Sequence, residues 1–486
     1  MDRVRQLMGI VLQAEDTIVR LVGEAVARGI GLEGIEEGIA RVGQKVAMEL
    51  TQLALEELDR KLMAGRGRGL EVAGRRTRSL LTSFGELKVS RRVYRGDGGE
   101  GGRFLLDEAL KLGARARVSR RLLGLAVELA CGMSMRRAAR VLGQMVPGLS
   151  VMGVWRAVRE AGEACRQGMA ERRRRVYEGG ELTAGTRRVE ELKVEADAVA
   201  VRLQRSPEKW GEVKLVVAYE GRERVGGERS ERYALKSRCV AAAVATGEVI
   251  WEEAGVQFGE RWALDQVGRV WVGGDGARWV KAGLKWFPRS AFVLDRFHLK
   301  RRLLQALGQD PGLYQRVCAI MAQGSLEQTL QALDAAARVR QGRARREIEG
   351  LMVYLAENWE GIANLPTRGV TGAIEGQVCH RIARRMKRNG ARWSPDGADR
   401  MARLLAAEAN GELDRYLHRP SPAHQEAPQA ARRPAAAASD PEGPWRIRMP
   451  VLYGPHASRP YARVIRHLSH IQPVVPYNQG MAPTET

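Results

Sequence analysis

Three carboxylates stand at positions where an ionised side chain is costly: Asp197, Asp275 and Glu375. Asp197 lies inside ELKVEADAVAVRL, residues 191–203, whose alternation of apolar residues predicts a β-strand. A carboxylate within an apolar strand loses hydration unless a nearby charge or hydrogen bond offsets that loss. Three such groups on separate elements of a basic chain predict a divalent-metal site that acts on nucleic acid. For Asp197 alone, the alternative is a carboxylate at the sheet edge that faces water or pairs with a lysine.

Asp275 follows the apolar run RVWV and stands between Gly274 and Gly276. This is the carboxyl end of a predicted strand, where the ligand sites of α/β sheets gather. Glycine on either side permits a close approach of backbone or substrate. An ordinary Gly-Asp-Gly turn is the alternative, and the glycines suit both interpretations.

Glu375 lies in TGAIEGQVCHRIARRMKRNG, residues 371–390, which predicts a helix. At roughly 100° per residue, Ile382 and Met386 fall within about 40° of Glu375. We therefore expect Glu375 on the inward apolar side, held by a metal or by a buried arginine. The basic residues expected on the opposite side of this helix are Arg384, Lys387 and Arg388.

A fourth candidate is His298, which follows Asp295 by three residues after the apolar run AFVL. Residues three apart face the same side of a helical turn. The preceding strand should neighbour the strand of Asp275, so we expect His298 at the site as a proton carrier or phosphate contact. A structural hydrogen bond is the alternative.

The net charge of the chain indicates the class of its binding partner. Among 486 residues, 80 are Lys or Arg and 57 are Asp or Glu, which gives a formal net charge of +23. This excess favours nucleic acid over a membrane, because the chain has no long uncharged apolar run. A merely basic surface is the alternative. The five scattered cysteines include no Cys-x-x-Cys pair, and no signal peptide is apparent, so we expect a cytoplasmic, nucleoid-associated protein.

The elements that must position these residues follow a recognisable order. After a helical region come three mostly antiparallel strands at 191–204, 211–221 and 231–254, a helix near 258–268, and two short strands with a helix between them. This order predicts an α/β fold with a ribonuclease-H-like mixed sheet. The predicted divisions are 1–64 (helical), 65–117 (linker at 64–76 and β-hairpin turning at Gly96–Gly102), 118–180 (helical, resembling a helix-turn-helix), 189–299 (first part of the core), 300–365 (helical insertion), 366–417 (last part of the core with the Glu375 helix) and 418–486 (Pro/Ala-rich tail, expected to be disordered).

Several long segments resemble DDE-type insertion-sequence transposases of the ISLre group, relatives of the Mutator-like elements. They are VEADAVAVRLQ, VGGDGARWVKAGL, VLDRFHLKRRLLQALG and AIEGQVCHRIARRMKRNGARWSPDGADRMARLL, within a resemblance that spans about residues 80–415. The resemblance implies a ribonuclease-H-like core with an all-helical insertion before the glutamate. It places the family's acidic triad on Asp197, Asp275 and Glu375, and its Asp-x-x-His feature on Asp295 and His298. The tail beyond about residue 418 does not match the family.

The implied chemistry is cleavage at the ends of a mobile element and transfer of the freed 3′ hydroxyl to target DNA. Two Mg²⁺ ions roughly 3.5–4 Å apart, or Mn²⁺ in their place, would assist both steps. Partners would be double-stranded DNA and further copies of the chain, since two ends must meet. The alternatives are a binding-only protein, decayed or repurposed, and a ribonuclease-H-like structure-selective nuclease. The residues expected to hold DNA are Arg156, Arg159, Arg381, Arg384, Arg385, Lys387 and Arg388, while Trp393 either stacks on a base or, as we favour, packs.

Overall fold

The computed structural model describes residues 2–96, 102–114, 116–226, 232–365, 372–388 and 390–417. These residues fall within one compact unit that spans Met1–Gln425. The tail predicted for 418–486 lies outside the described residues. Within the described ranges, no helix is long and apolar enough to cross a membrane.

The amino-terminal region consists of two long helices and a β-ribbon. Helices α1 (Asp2–Arg28) and α2 (Leu32–Ala64) form a helical hairpin in the stretch predicted to be helical. Strands β1 (Leu70–Thr82) and β2 (Gly85–Gly96) pair antiparallel and turn at residues 83–84. The predicted linker at 64–76 is therefore wrong, because β1 begins within it. The turn predicted at Gly96–Gly102 lies mostly outside the described residues, and Tyr94 and Arg103 on either side of it form an antiparallel bridge. The first two-thirds of β1 face solvent, so backbone pairing rather than an apolar alternation defines this strand.

Helical elements follow the ribbon. They are α3 (Leu105–Ala109), α4 (Arg120–Gly132), α5 (Met135–Met145) and α6 (Val151–Tyr177). Ser119, Ser134 and Ser150 begin the last three helices by accepting a hydrogen bond from a backbone N–H three residues on. Ser150 is thus the predicted cap, but α6 has 27 residues and is far longer than the short helix expected there.

The central element is a mixed five-stranded sheet. The strands of this region are β3 (Glu191–Arg202), β4 (Trp210–Tyr219), β5 (Gly221–Arg224), β6 (Tyr233–Lys236), β7 (Cys239–Ala243), β8 (Arg269–Gly274) and β9 (Ser290–Leu294). The sheet order is β7-β4-β3-β8-β9, while β5 and β6 form a separate ribbon. Strand β4 is antiparallel to β3 and β7, whereas β8 is parallel to β3 and β9.

The segment predicted as a third strand at 231–254 is divided. It contains β6 and β7, interrupted by Ser237 at a positive φ of 54°, and then the start of helix α7 (Gly247–Gly259). Thr246 caps α7 by accepting from the backbone N–H of Val249. The helix predicted near 258–268 therefore begins earlier, and only a short 3₁₀ turn at Leu264–Gln266 follows it.

The remaining helices complete the unit. They are α8 (Arg278–Lys281, continued by a 3₁₀ turn at Ala282–Trp286), α9 (Arg296–Leu307), α10 (Pro311–Ala322), α11 (Leu326–Arg338), α12 (Gly342–Ala363), α13 (Ile374–Gln377), α14 (Arg384–Met386), α15 (Pro395–Ala409) and α16 (Leu413–Leu417). A π-helical segment, Val378–Ala383, joins α13 to α14 without a break. Helices α9 to α12 occupy the stretch predicted to be a helical insertion.

Both faces of the sheet are covered. Leu192, Val194 and Ala196 of β3 belong to a core shared with α7 and with α9 to α12. Val199 and Val201 belong to a second core shared with α4 to α6 and with the segment from α13 to α15. Since alternate strand residues point to opposite faces, the odd-numbered positions of β3, Asp197 included, face the second group of helices.

Candidate metal centre

The register of the parallel strands brings Asp197 and Asp275 to one edge of the sheet. Ala196 of β3 pairs with Gly274 of the neighbouring strand β8. The next residue along each segment is a carboxylate, Asp197 or Asp275. On the other side of β8, the backbone N–H of Asp295 donates to the carbonyl of Gly274 at 2.8 Å. Three acidic residues therefore gather where these strands meet.

The side chains of Asp197, His298 and Glu375 converge from three separate elements. One possible ligand atom from each lies within 4.8 Å of the other two. Asp197 and His298 are half-buried, and Glu375 is exposed. Asp275 is outside this group of three, although its charge acts on both Asp197 and His298. The structure thus brings three of the four predicted residues to one point, with the fourth beside it.

The electrostatics of this point favour a cation. Burial raises the pKa of Asp197 to about 6, and the charges of Asp275 and Glu375 act in the same direction. The backbone N–H of Ala198 donates to Asp197 Oδ1 at 2.7 Å and partly offsets the effect. A half-buried carboxylate with two further carboxylates near it is a favourable place for a divalent ion.

Asp295 holds His298 in place. Its buried carboxylate caps α9, since Oδ1 accepts from the backbone N–H groups of Phe297 at 2.7 Å and His298 at 3.1 Å. Oδ1 also lies 3.3 Å from His298 Nδ1, and this contact is the largest cause of the raised pKa of His298. Because Nδ1 is buried beside Asp295, we infer that Nε2 is the nitrogen available to a ligand. Asp295 of the Asp-x-x-His pattern therefore caps α9 and contacts His298.

The prediction that Glu375 lies on the inward apolar side of its helix is wrong. Ile382 and Met386 are buried as expected, but Glu375 is exposed and turns toward Asp197 and His298. The wider π-helical turn at Val378–Ala383 changes the angular relation between residues before and after it. An ideal-helix projection therefore misplaces Glu375, which sits in the first turn.

Glu195 is a residue that the sequence analysis left without a role. It is 1% exposed and accepts from the backbone N–H groups of Gly372, Ala373 and Ile374 at 2.9, 3.3 and 3.1 Å. The hydroxyl of Tyr219 also donates to it. Glu195 thus anchors the start of the Glu375 helix to β3, two residues from Asp197. Its place on the same strand face as Asp197 was the available signal, but the sequence does not reveal its partner.

The loop that carries Asp275 needs its glycine. Asp275 Oδ1 accepts from the backbone N–H of Ala277 at 2.9 Å, and Gly276 has a positive φ of 89°. A Cβ on Gly276 would lie 2.2 Å from Oδ1 of Asn358. The hydroxyl of Tyr354 donates to the Asp275 carbonyl at 3.2 Å. Helix α12 of the insertion therefore packs directly on this loop.

The predicted DNA-binding residues divide into two groups. Arg381 lies 3.4 Å from Glu408, and the half-buried Arg385 donates through Nε to the carbonyl of Ala130 at 2.6 Å. The others are exposed and form no ion pair with any side chain in the described ranges. This second group is Arg156, Arg159, Arg384, Lys387 and Arg388.

Comparison with known proteins gives consistent matches over most of the chain. The model of an uncharacterised protein family, UPF0236, matches residues 25–419. The chain is 28% identical over 409 residues to UPF0236 protein TTE0610/TTE0881/TTE1053/TTE2432 of Caldanaerobacter subterraneus subsp. tengcongensis, covering 82% of each protein. A second relative in that organism, whose name joins eleven TTE designations, is 28% identical over 80% of each protein. The UPF0236 protein in vanSb 3'region of Streptococcus gallolyticus is 27% identical over 84% of this chain and 89% of its own length.

Proposed function

The chain belongs to the UPF0236 family, and we propose that it is a metal-dependent DNA transposase. The observation that carries this proposal is the convergence of Asp197, His298 and Glu375 within 4.8 Å of one another. These residues come from widely separated parts of a chain with a net charge of +23. A half-buried acidic centre in such a chain fits a substrate whose own charge requires both a cation and basic contacts.

The sheet supports a ribonuclease-H-like core. Counted along the chain, its strands stand in the order third, second, first, fourth, fifth. The first three are antiparallel and the last two are parallel to the first. This is the arrangement expected for that fold, and it places the first and fourth strands side by side, with Asp197 on the former and Asp275 just after the latter.

The donor set fits a divalent cation. Asp197 and Glu375 offer oxygens, which suit Mg²⁺ and Mn²⁺, and His298 offers an imidazole nitrogen, which Mn²⁺ accepts more readily than Mg²⁺. When bound, such an ion would stabilise negative charge on a phosphodiester that is being broken. The chain's own residues would hold that ion, with Asp295 fixing the imidazole and Asp275 adding negative charge beside it.

Exposed basic residues would hold the DNA. Arg384, Lys387 and Arg388 are exposed directly after the π-helical segment that follows Glu375. Arg156 and Arg159 are exposed near the start of α6, the helix of the unit that resembles a helix-turn-helix. Cations that have no internal partner gain most from phosphate contacts. Double-stranded DNA is therefore the proposed partner.

The relatives are consistent with mobility. The name of one of them joins eleven designations from a single organism. Recurrence of one protein at many loci is what repeated copying of a mobile element would leave. This pattern favours a transposase over a structure-selective nuclease.

We also propose that the chain acts as a homo-oligomer that assembles through α1. Nine large apolar side chains of α1 are exposed and fall within an arc of about 140° at 100° per residue. The helix carries four acidic and four basic residues, so a second copy would meet no net repulsion there despite the charge of the whole chain. The exposed apolar residues are Val4, Leu7, Met8, Val11, Leu12, Ile18, Val19, Val22 and Val26.

The test of the proposed function is DNA cleavage and joining. Wild type and Asp275→Asn are incubated with Mg²⁺ or Mn²⁺ and DNA that carries the sequences flanking its own coding region. We expect joined products from wild type and a loss of more than about 100-fold in the variant. Asp334→Asn, which changes an exposed carboxylate of α11, is the matched control. Binding without cleavage would overturn the catalytic proposal, and cleavage without joining would favour a nuclease.

A further inference from the structure

A cleft of about 310 Å³ lies between the start of α6 and the segment around α15, apart from the candidate metal centre. Its size suits a small ligand or part of a larger one. Its lining combines two tryptophan rings with four guanidinium groups. We name it the tryptophan–arginine cleft after Trp155, Trp393, Arg159, Arg385, Arg392 and Arg400.

The aromatic part of the cleft offers a stacking surface. Trp155 is 39% exposed, and the guanidinium of Arg159 lies 5.0 Å from the centre of its ring. Trp393 is buried, donates its indole N–H to the carbonyl of Met386 at 3.0 Å and contacts the guanidinium of Arg385 at 4.9 Å. Trp393 therefore packs as part of the cleft wall, as the packing interpretation predicts. Trp155 has a partly exposed ring. Stacking on a base would remove that apolar ring from water.

Carboxylates of the described residues pair with only one of the four arginines of the cleft. Arg400 contacts Glu163 at 3.0 Å and Asp396 at 3.6 Å. By contrast, Arg159, Arg385 and Arg392 form no ion pair with any carboxylate in the described parts of the chain. Arg385 is half-buried and donates to a backbone carbonyl. An anion in the cleft would compensate charges that the protein leaves uncompensated.

The cleft is tied to the strand that carries Asp197. Trp393 donates its backbone N–H to the carbonyl of Arg202 at 3.0 Å, and its carbonyl accepts from Gln204 at 2.8 Å. Arg202 ends β3, five residues beyond Asp197, which corresponds to about 17 Å along a strand. At about 3.4 Å per nucleotide, one DNA strand spans that distance in roughly five nucleotides.

We propose that the tryptophan–arginine cleft binds an unpaired nucleobase of DNA together with its neighbouring phosphate. The base stacks on Trp155, and the phosphate is held by Arg159, Arg385 and Arg392. This inference rests on the proposed function and deepens it, because a paired base inside an intact duplex cannot present its face to an indole ring. The preferred substrate is then DNA whose bases are unpaired a few nucleotides from the cleavage point.

The test measures binding without catalysis. Two duplexes of the same sequence are compared in the presence of a chelator, one blunt and one with a three-nucleotide single-stranded extension that contains 2-aminopurine. We expect wild type to prefer the extended DNA and to quench the 2-aminopurine fluorescence. Trp155→Ala should abolish the quenching and weaken binding of the extended DNA by about 5- to 100-fold, with the blunt duplex unaffected.

Control variants separate the outcomes. Trp155→Tyr should preserve most of the preference, which shows that loss in Trp155→Ala is not a folding defect. Trp210→Ala removes another exposed tryptophan, one that has Arg202 over its ring but does not line the cleft, and should behave as wild type. Equal preference in wild type and Trp155→Ala would overturn the cleft proposal while leaving metal-dependent cleavage intact. Absence of any DNA binding by wild type would overturn the proposed function as well.

Discussion

At the scale of the residue, ionised carboxylates at the candidate centre reduce the stability of the folded protein. Asp197 is half-buried, and burial raises its pKa from 3.8 to about 6, with Asp275 and Glu375 adding repulsion. A carboxylate with a raised folded pKa makes the folded state less stable as pH rises from about 4 to about 6, and that loss persists at neutral pH. Such a cost is typical of residues kept for chemistry rather than for stability.

The substitution Asp197→Asn should therefore stabilise the protein when no metal is present. Removing the buried charge should raise the free energy of unfolding at pH 7 by on the order of 1–3 kcal/mol. The measurement is thermal unfolding in a chelator, followed by addition of Mn²⁺. Wild type should gain stability from the ion, and the variant should not. A variant that unfolds at a lower temperature than wild type in the chelator would show that Asp197 is a structural residue.

At the scale of the element, the position of Glu375 depends on an anchor in another strand. Glu195 accepts three successive backbone N–H groups at the start of α13 and is itself fully buried. Removing such an acceptor leaves buried donors unsatisfied, and the helix start loses its fixed relation to β3. The geometry of the centre is therefore set by contacts between elements 177 to 179 residues apart.

Replacing Glu195 should lower both the stability of the protein and its affinity for metal. Glu195→Ala should lower the free energy of unfolding by about 3 kcal/mol or more and weaken Mn²⁺ binding by about 10- to 100-fold. Glu195→Gln keeps one carbonyl oxygen as an acceptor and should lose less of both. Denaturant unfolding and a metal titration provide the two readouts, with Glu212→Ala, an exposed carboxylate of β4, as control. Full Mn²⁺ affinity in a folded Glu195→Ala protein would show that the anchor does not position Glu375.

The sequence reveals the parts of this arrangement that depend on local periodicity. Alternation predicted the strand of Asp197, and the apolar run before Asp275 predicted the strand end that lies beside it. Parts that depend on distant contacts were missed, such as the capping of α13 by Glu195. A local change of helical period also makes the expected position of Glu375 wrong, since the π-helical segment changes the angle between Glu375 and the buried residues after it. Strand β1 was not predicted, because most of its residues are exposed on both faces and show no apolar alternation.

At the scale of the whole molecule, the proposed assembly would use a helix, α1, that the rest of the unit hardly covers. None of the residues of α1 whose side chains are described is buried, and its apolar side chains include Val11 at 64% and Val22 at 56% exposed. A 27-residue helix is about 40 Å long, which is enough to supply an interface of the usual size in a symmetric dimer. Burial of these side chains is the expected driving force for association.

Charges placed in this patch should dissociate the oligomer. We expect wild type to sediment as a dimer or larger species, and the double variant Val11→Glu, Val22→Glu to sediment as a monomer with unchanged helical content. Arg20→Glu, on another side of α1, is the control for added negative charge. A monomeric wild type at micromolar concentration would contradict assembly through α1.

The proposed function depends most directly on whether Asp197, His298 and Glu375 form one metal centre. Electron paramagnetic resonance detects free Mn²⁺, so a titration measures binding without DNA or catalysis. We predict saturable binding by wild type, a loss of affinity of about 10- to 100-fold in Glu375→Gln, and wild-type affinity in Asp334→Asn. Wild type that leaves Mn²⁺ free, or a Glu375→Gln variant that binds it equally well, would show that these residues do not form a metal centre.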